Sequence, residues 1–375
     1  MANMYANMKW DLKDESSRTR CATRLLSLRQ YLDEHVRRHR SDGNLLLATW
    51  NIRDFDSNRF GYGPRLPESF YYVAEIISSF DLVAVQEVNR DLRPLEKVMK
   101  ILGREWDYIV TDTTEGKGGN GERMAFLYNR EKVWFRKVAG EVVLPEGQMI
   151  VAPKTVKENG ETLTHDQEMQ FSRSPFLVAF QSGWFRFSLC TVHIYYGAAS
   201  GEKLERRIAE IQSLVRFFAA RQDEASKWEV DRFGAPENYV LLGDFNVVKP
   251  NHRTMDALKT EGFDVPDAID GDEIRKKGMH YYDQIAVRVK DPRFEVVRGG
   301  ILDMYEQVFR DDDLEAYERF MPSQDPDPQH PVDSPDKLFK KWRTWQMSDH
   351  FPLWIEIRTD YSDDYLQRLA AGREA

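Results

Sequence analysis

The sequence LLLATWNIRDF (45–55) contains an apolar run that stops abruptly at a polar residue, Asn51. Three later apolar runs end in the same way, at Glu87 after LVAVQ, at His193 after FSLCTV and at Asp244 after YVLLG. Short apolar runs bounded like this are typical of buried β-strands. Each run therefore predicts a strand with a polar side chain at its carboxyl end.

A second set of apolar runs begins just after a polar residue. Arg123 precedes MAFLY, Asp283 precedes QIAV, and the pair Asp349 and His350 precedes FPLWIEI. If these strands run antiparallel to the first set, all of these polar side chains meet at one edge of the sheets. Ligands bind outside the strand ends of open sheets. The pattern therefore predicts mixed sheets with a site at that edge.

The chain alternates short apolar runs with helical patterns from Leu45 to about Ile357, which is typical of an α/β domain. The sequence between these residues shows no clear domain boundary and no internal repeat. The predicted strands are 45–50, 82–85, 124–128, 176–180, 187–192, 239–242, 284–287 and 352–357. The predicted helices are 68–79, 92–102 and 202–221.

Residues 1–43 form a polar leader with one helical pattern. Apolar residues recur there at three- and four-residue spacing, at Leu25, Leu28, Leu32 and Val36, among seven arginines. This spacing predicts an amphipathic helix. We expect the helix to pack on the main domain with its arginines in water; the alternative is a basic face that contacts phosphates or a partner.

Residues 311–336 break the alternation, because they combine many acids with five prolines. Proline continues neither a helix nor a central strand, so we expect a long excursion from the core, such as a flap. The next segment, KLFKKWRTW (337–345), interleaves aromatic and basic residues, which suits either nucleic-acid contact or a cationic surface strand. The expected organisation is a leader (1–43), a main domain (44–358) that contains the 311–336 insertion, and a C-terminal tail (359–375).

The chain of 375 residues has 53 Lys and Arg against 62 Asp and Glu, so its net charge is −9. This balance argues mildly against tight non-specific DNA binding, which relies on basic residues. It is compatible with a metal-dependent phosphoesterase, because carboxylates that hold a cation add negative charge. Two cysteines are too few for a disulfide framework, and no apolar run fits a signal peptide or approaches the roughly 18 residues of a membrane span. We therefore expect a cytoplasmic protein without a membrane partner.

The polar residues at the strand ends suit one kind of chemistry. Carboxylate and amide oxygens prefer Mg²⁺, Mn²⁺ or Ca²⁺ over zinc. Asp244 and Asn246 are two residues apart, so in an extended segment both project to the same side. Asp349 and His350 are adjacent and would diverge in a strand, so they must lie in a bend to serve one site. The candidate oxygen donors are Asn51, Glu87, Asp244, Asn246 and Asp349.

The ordered fragments N-I-R, Q-E-V, E-R-M-A, T-V-H, G-D-F-N, Y-D-Q-I and S-D-H-F-P resemble the endonuclease/exonuclease/phosphatase superfamily. The resemblance covers residues 45–357, and within the superfamily it is greatest to pancreatic-type deoxyribonuclease. It implies a four-layer α/β sandwich, with two packed mixed β-sheets flanked by helices. It also implies hydrolysis of phosphate esters with a divalent cation, Mg²⁺ first and Mn²⁺ or Ca²⁺ as alternatives.

The resemblance further implies a role for each site residue. The metal ligands match Asn51, Glu87 and Asp349; the catalytic residues match His193, Asp244, Asp283 and His350; the phosphate-binding residues match Arg123 and Asn246. Two questions stay open at this point. The base that activates water is either Asp244 or His350, and the number of cations is one or two.

The leading interpretation is a DNA endonuclease, with RNA as a further substrate. The alternative is a phosphatase or phosphodiesterase that acts on a small-molecule or lipid phosphate. Inositol-phosphate phosphatases carry W-C-D-R where this chain has Tyr281, Tyr282, Asp283 and Gln284, and the R-x-D-Y pattern of abasic-site endonucleases is also lacking. A degenerate domain kept for protein contacts would have lost a ligand, whereas here all of the matching residues are present.

Overall fold

The computed structural model describes residues 4–114, 121–158, 161–228, 238–276 and 279–372. The strands are β1 Asn44–Phe55, β2 Leu82–Val88, β3 Trp106–Val110, β4 Arg123–Asn129, β5 Trp134–Glu141, β6 Ile150–Glu158, β7 Glu161–Met169, β8 Phe176–Ser182, β9 Phe185–His193, β10 Tyr239–Asp244, β11 Asp283–Arg288, β12 Val296–Ile301 and β13 Leu353–Arg358. The helices are α1 Met8–Asp11, α2 Glu15–His35, α3 Pro67–Ile77, α4 Arg93–Leu102, α5 Glu202–Trp228, α6 Arg253–Leu258, α7 Leu314–Tyr317, α8 Pro335–Gln346 and α9 Ser362–Ala370.

Most strands belong to two mixed sheets. The first has the order β12-β13-β1-β2-β4-β3, and within it only β1 and β2 are parallel neighbours. The second has the order β11-β10-β9-β8-β5, and its parallel pair is β9 with β10. Strands β6 and β7 form a separate hairpin. The expected mixture of parallel and antiparallel strands is therefore confirmed.

The two sheets pack face to face, and helices cover their outer faces. Leu45 and Leu47 of β1 join a core shared with the second sheet, whereas Leu46 and Ala48 join a core shared with α2, α3, α4 and α8. This alternation follows from the two-residue period of a strand that is buried on both faces. Helix α5 packs on the second sheet, where the ring centroids of Phe218 and Tyr239 are 4.9 Å apart. The expected four-layer α/β sandwich is thus confirmed.

All eight apolar runs predicted as strands lie in strands or directly against one, and the three predicted helices correspond to α3, α4 and α5. The strands that the sequence did not indicate are β3, β5 and β12 at sheet edges and the β6-β7 hairpin. Such strands need no continuous apolar run, because solvent reaches one side of them. None of the helices within the described ranges is both long and apolar enough to cross a membrane.

The leader helix α2 packs against the outer face of the first sheet, with Cys21, Leu28 and Leu32 fully buried. The expectation that the arginines of the leader lie in water is wrong for four of them. Each forms an ion pair with a buried carboxylate, because such a carboxylate is costly to bury without a partner. The pairs are Arg20 with Glu68, Arg24 with Asp313, Arg37 with Glu75, and Arg40 with Asp81.

Residues 311–336 pack against the main domain, so the expectation of an excursion from the core is wrong. Tyr317 is fully buried in the core next to the first sheet. The Tyr62 hydroxyl donates a hydrogen bond to Asp325 at 2.6 Å, and Lys341 Nζ lies 2.9 Å from the same carboxylate. Side-chain contacts therefore hold residues 321–334, a part of the segment that lies outside helices.

Residues 337–345 belong to helix α8, so the interpretation as a surface strand is wrong. Ser334 caps this helix by accepting a hydrogen bond from Lys337 N, and Pro335 occupies the first turn, where its missing N–H costs nothing. Trp342 is fully buried and donates Nε1–H to Tyr62 O at 3.0 Å. The helix places its other tryptophan, Trp345, beside the end of β1.

Candidate active site

Strand direction brings the predicted residues to one edge of the sandwich. In the second sheet, Asp244 lies in register with His193 on the parallel strand β9 and with Asp283 on the antiparallel strand β11. In the first sheet, Asn51 of β1 lies in register with Gln86 of the parallel strand β2, next to Glu87. Asn51 Nδ2 donates a hydrogen bond to Asp244 Oδ2 at 3.2 Å, which joins the two sheets at this edge.

The backbone at this edge turns sharply. Gly243 has a φ of +134°, and a Cβ there would lie 2.2 Å from Val192 O, so only glycine lets β10 approach β9 this closely. Glu87 and Asn246 have φ values of +61° and +51°, which non-glycine residues rarely adopt and which cost free energy. Both turns lie where a strand ends, and they redirect these side chains toward the site.

Two histidines face the same carboxylate oxygen. His193 Nε2 lies 3.6 Å from Asp244 Oδ2, and His350 Nε2 lies 3.7 Å from it. Both distances exceed that of a normal hydrogen bond. The two Nε2 atoms and the Asp244 oxygen therefore converge on one point while remaining available to a further group.

Each histidine has a second carboxylate behind it. His350 Nδ1 lies 2.7 Å from Asp283 Oδ2, and His193 Nδ1 lies 3.1 Å from Glu122 Oε2. A carboxylate on Nδ1 fixes the orientation and the tautomer of an imidazole ring. Both rings are therefore held with Nε2 directed at Asp244.

Sequence reasoning missed Glu122 as a site residue. This side chain is buried and accepts a hydrogen bond from Arg173 Nε, while Arg173 Nη1 donates to His193 O at 3.3 Å. Glu122 directly precedes the residue chosen from the same fragment, Arg123. Successive residues of an extended chain project to opposite sides. Assigning Arg123 to the site therefore left out Glu122, whose carboxylate contacts His193.

Arg123 and Asn246 are held by main-chain groups. Arg123 Nη1 donates to Thr111 O at 2.6 Å, and within the described ranges no hydrogen bond or ion pair joins Arg123 to either histidine. Asn246 contacts Asp244 directly, because its backbone N–H donates a hydrogen bond to Asp244 Oδ1 at 2.9 Å. Its side chain is held by a hydrogen bond from Nδ2 to Ile194 O at 2.7 Å. The phosphate-binding role of Arg123 stays a prediction.

The carboxylates set the charge of the histidines. Burial lowers the pKa of His350, but the negative charges of Asp283 and Asp244 outweigh it and raise this pKa well above its ordinary value of 6.5. Burial also lowers the pKa of His193, and there the Glu122 carboxylate outweighs it and raises the pKa. The site is thus built to hold positive charge on its imidazole rings.

Glu87 is joined to Asp244 through Asn51 Nδ2 and stays ionised. Burial raises the pKa of Glu87, but the charge of His193 and hydrogen bonds from the Asp54 backbone N–H and Asn51 Nδ2 outweigh it, so this pKa falls to about 2. Asp54 N lies 2.8 Å from Glu87 Oε2, and Asn51 Nδ2 lies 3.0 Å from Glu87 Oε1. Asp54, which sequence reasoning also missed, therefore fixes the carboxylate through the main chain.

The donors around Glu87 fit a divalent cation. Asn51 Oδ1 is buried and has no hydrogen-bond partner among the described residues. Glu87, Glu122 and His193 each place a ligand atom within 4.8 Å of the others. A carboxylate that keeps its charge and an amide oxygen without a partner are suitable ligands for a hard cation.

Asp349 lies at the mouth of the site. Its carboxylate is 45% exposed and lies 3.4 Å from Arg53 Nη1. The preceding Ser348 Oγ donates to Asn51 O at 2.6 Å and accepts from His350 N at 3.0 Å. The bend expected before the last strand thus ties His350 to β1.

Comparisons with known proteins relate the chain to solved structures only. No protein-family model matches the sequence, and no curated protein matches it. The similar structures include an endonuclease/exonuclease/phosphatase family protein from Bacteroides thetaiotaomicron, with 17% identity, 84% of this chain and 98% of that chain covered, and a TM-score of 0.48. A mannosyl-6-phosphatase from Bacteroides thetaiotaomicron has 17% identity, with 84% and 99% covered and a TM-score of 0.46. D. rerio TDP2 complexed with a single-strand DNA product has 11% identity, with 84% and 98% covered and a TM-score of 0.45.

Proposed function

We propose that the protein is a divalent-metal-dependent phosphoesterase that cleaves phosphodiester bonds, with DNA as its principal substrate and RNA as a further one. The observation that carries the proposal is the convergence of His193 Nε2 and His350 Nε2 on Asp244 Oδ2, beside Glu87 and Asn51. Two imidazoles and a carboxylate around one point provide both the proton transfer and the charge stabilisation that hydrolysis of a phosphate ester needs.

The cation is assigned to Asn51, Glu87 and Asp349. When bound, it supplies positive charge to the phosphoryl and leaving oxygens. Glu122 is close enough to contribute, but its two oxygens already accept hydrogen bonds from Arg173 and His193. Mg²⁺ is the ion of choice for this donor set, with Mn²⁺ or Ca²⁺ as alternatives.

The side chains of this chain perform the remaining steps. The attacking water would lie between Asp244 Oδ2 and His350 Nε2. Either Asp244 accepts its proton and the protonated His350 donates a hydrogen bond to a phosphoryl oxygen, or His350 accepts the proton and Asp244 orients the water. Asp283 orients His350 through Nδ1, as Glu122 orients His193. His193 and Asn246 hold the phosphoryl oxygens, whose negative charge grows in the transition state.

One experiment tests this function directly. The protein is incubated with supercoiled plasmid, single-stranded DNA, RNA and a generic phosphomonoester, in the presence of Mg²⁺, Mn²⁺ or a chelator. We expect metal-dependent nicking of the plasmid. Release of phosphate from the monoester without nicking would support a phosphatase instead, and inactivity on every substrate would contradict an enzymatic function.

Two variants distinguish a loss of catalysis from a loss of folding. His350→Ala should lower the turnover number by at least about 10² while the thermal melting temperature stays nearly unchanged. His165→Ala is the matched control, because His165 is exposed on the β6-β7 hairpin, and it should keep full activity. An active His350→Ala variant would contradict the assignment.

A further inference from the structure

A group of rings and a guanidinium, which we call the Trp345 cluster, lies on one side of the candidate site. The ring of Trp345 stacks on Tyr62, with centroids 4.8 Å apart and planes 12° apart, and contacts Phe60 at 4.7 Å. The Arg53 guanidinium lies 3.8 Å from the centroid of the Trp345 ring. Phe60 is 46% exposed. Since Arg53 Nη1 is also 3.4 Å from Asp349 Oδ2, this cluster adjoins the proposed metal ligands.

A second group of rings, which we call the Tyr282 cluster, lies beside His350. The ring of Tyr282 has its centroid 5.8 Å from that of His350. His280 stacks on Tyr282 with a centroid distance of 4.4 Å and an interplanar angle of 2°, and Tyr196 approaches it edge-on at 6.3 Å. His280 is exposed and Tyr196 is 47% exposed.

The two clusters are linked through the site itself. Trp345 contacts Arg53, and Arg53 contacts Asp349. His350, which follows Asp349 in the sequence, contacts Tyr282. Single exposed aromatic side chains are normal on a protein surface. Here, however, one cluster with exposed planar groups contacts His350 and the other reaches the adjacent Asp349 through Arg53, and neither hydrolysis nor cation binding requires them.

Two separate groups of planar side chains next to one phosphate site match a substrate that has rings on both sides of its phosphate. Aromatic side chains and arginine bind successive bases of single-stranded nucleic acid by stacking, without a sequence preference. A duplex keeps its bases stacked on each other and presents its phosphates instead. Because the net charge of −9 provides little general attraction for phosphates, stacking is the stronger source of affinity.

We infer that the preferred substrate is single-stranded nucleic acid, whose bases stack on the Trp345 cluster at one side of the scissile phosphate and on the Tyr282 cluster at the other. This inference rests on the proposed function, since it takes the phosphate between the clusters to be the one that is cleaved. It adds the strandedness of the substrate and names Phe60 and Tyr196 as binding residues.

The test measures equilibrium binding in EDTA, so that metal-dependent cleavage does not interfere. The probes are a radiolabelled single-stranded oligonucleotide of about 12 nucleotides, an abasic oligonucleotide of the same length, and a duplex. Phe60→Ala and Tyr196→Ala should each weaken binding of the single strand by about 5- to 150-fold, the range for losing one stacked base. Binding of the abasic strand and of the duplex should change less than about twofold.

Two further variants control for correct folding and for non-specific binding to exposed aromatic side chains. Phe60→Trp keeps a ring and should retain the affinity of the wild type for the single strand. Trp184→Ala removes an aromatic side chain that is 46% exposed and packs on Tyr365, outside both clusters, and it should leave binding unchanged.

The inference is overturned if wild-type protein does not bind the single strand, if Phe60→Ala and Tyr196→Ala bind it as tightly as wild type, or if they weaken abasic binding equally. Failure of the proposed function has a different signature, because it shows as absence of metal-dependent hydrolysis in wild type. Ring-dependent binding without hydrolysis would leave the stacking surfaces in place and refute the enzymatic function alone.

Discussion

Asp283→Asn isolates the hydrogen bond that orients His350. The change preserves the side-chain shape, but it replaces the carboxylate oxygen that lies 2.7 Å from His350 Nδ1 by part of an amide. An amide that turns its NH₂ toward Nδ1 moves the imidazole proton to Nε2, the atom that faces Asp244. We therefore expect His350 to keep its position but to lose both the negative charge that stabilises its protonated ring and the tautomer that leaves Nε2 free to accept a proton.

The expected loss follows from the strength of this contact. A hydrogen bond to a charged group contributes about 1.5–3 kcal/mol, and proton transfer by a positioned side chain contributes about 10²–10⁴ in rate. An Asp→Asn change behind the histidine of a Ser-His-Asp triad costs about 10⁴ in kcat. For Asp283→Asn we expect kcat to fall by about 10² to 10⁴. KM should change less, because Asp283 lies behind the ring and away from the substrate.

The assay is the initial rate of plasmid nicking at saturating Mg²⁺, combined with the thermal melt. Asp166→Asn is the matched control, because Asp166 is exposed on the β6-β7 hairpin, and it should keep wild-type rates. In a double-mutant cycle, Asp283→Asn should add little to His350→Ala, since both remove the same function. A kcat of Asp283→Asn within about tenfold of wild type, or a loss that multiplies fully with that of His350→Ala, would refute the reasoning.

Three other predictions concern the metal, the leader and the thiols. Glu87→Gln should raise the Mg²⁺ concentration for half-maximal nicking by at least about tenfold, and excess EDTA should abolish nicking in wild type; an unchanged Mg²⁺ titration would contradict the ligand assignment. Leu28→Ala, at a fully buried position of the leader helix, should lower the free energy of unfolding in urea by about 2–5 kcal/mol, whereas Leu26→Ala, at a 70% exposed position, should change it by less than about 0.5 kcal/mol. Burial raises the pKa of the Cys21 and Cys190 thiols, so both should react with a disulfide reagent far more slowly in the native protein than in urea; fast labelling of the native protein would contradict their burial.

The strands that position the site could be predicted because they are central. A strand buried on both faces is predominantly apolar, so its end is visible in the sequence where the apolar run stops. This is why the sequence alone indicates Asn51, Glu87, His193 and Asp244. The edge strands and the β6-β7 hairpin, which solvent reaches, have no such signature.

Partners across the sheets could not be predicted. Glu122, which directly precedes β4 of the other sheet, supports His193, and nothing in its local sequence distinguishes it from its neighbour Arg123. Likewise, the ion pair of Arg20 with Glu68 joins residues that are distant in the chain. The sequence of the leader therefore predicted a basic helix with its arginines in water. Both contacts depend on which elements pack together.

Local patterns of hydrophobicity thus specified the layers, the strand directions and the residues at their ends, because these follow from periodicities within a few residues. Packing between elements specified which carboxylate backs which histidine, where the arginines of the leader find their partners, and that Arg53, Phe60 and Tyr62 surround Trp345. Distances between side chains far apart in the chain arise only when both sheets and their helices close around one core, and no short stretch of sequence encodes them.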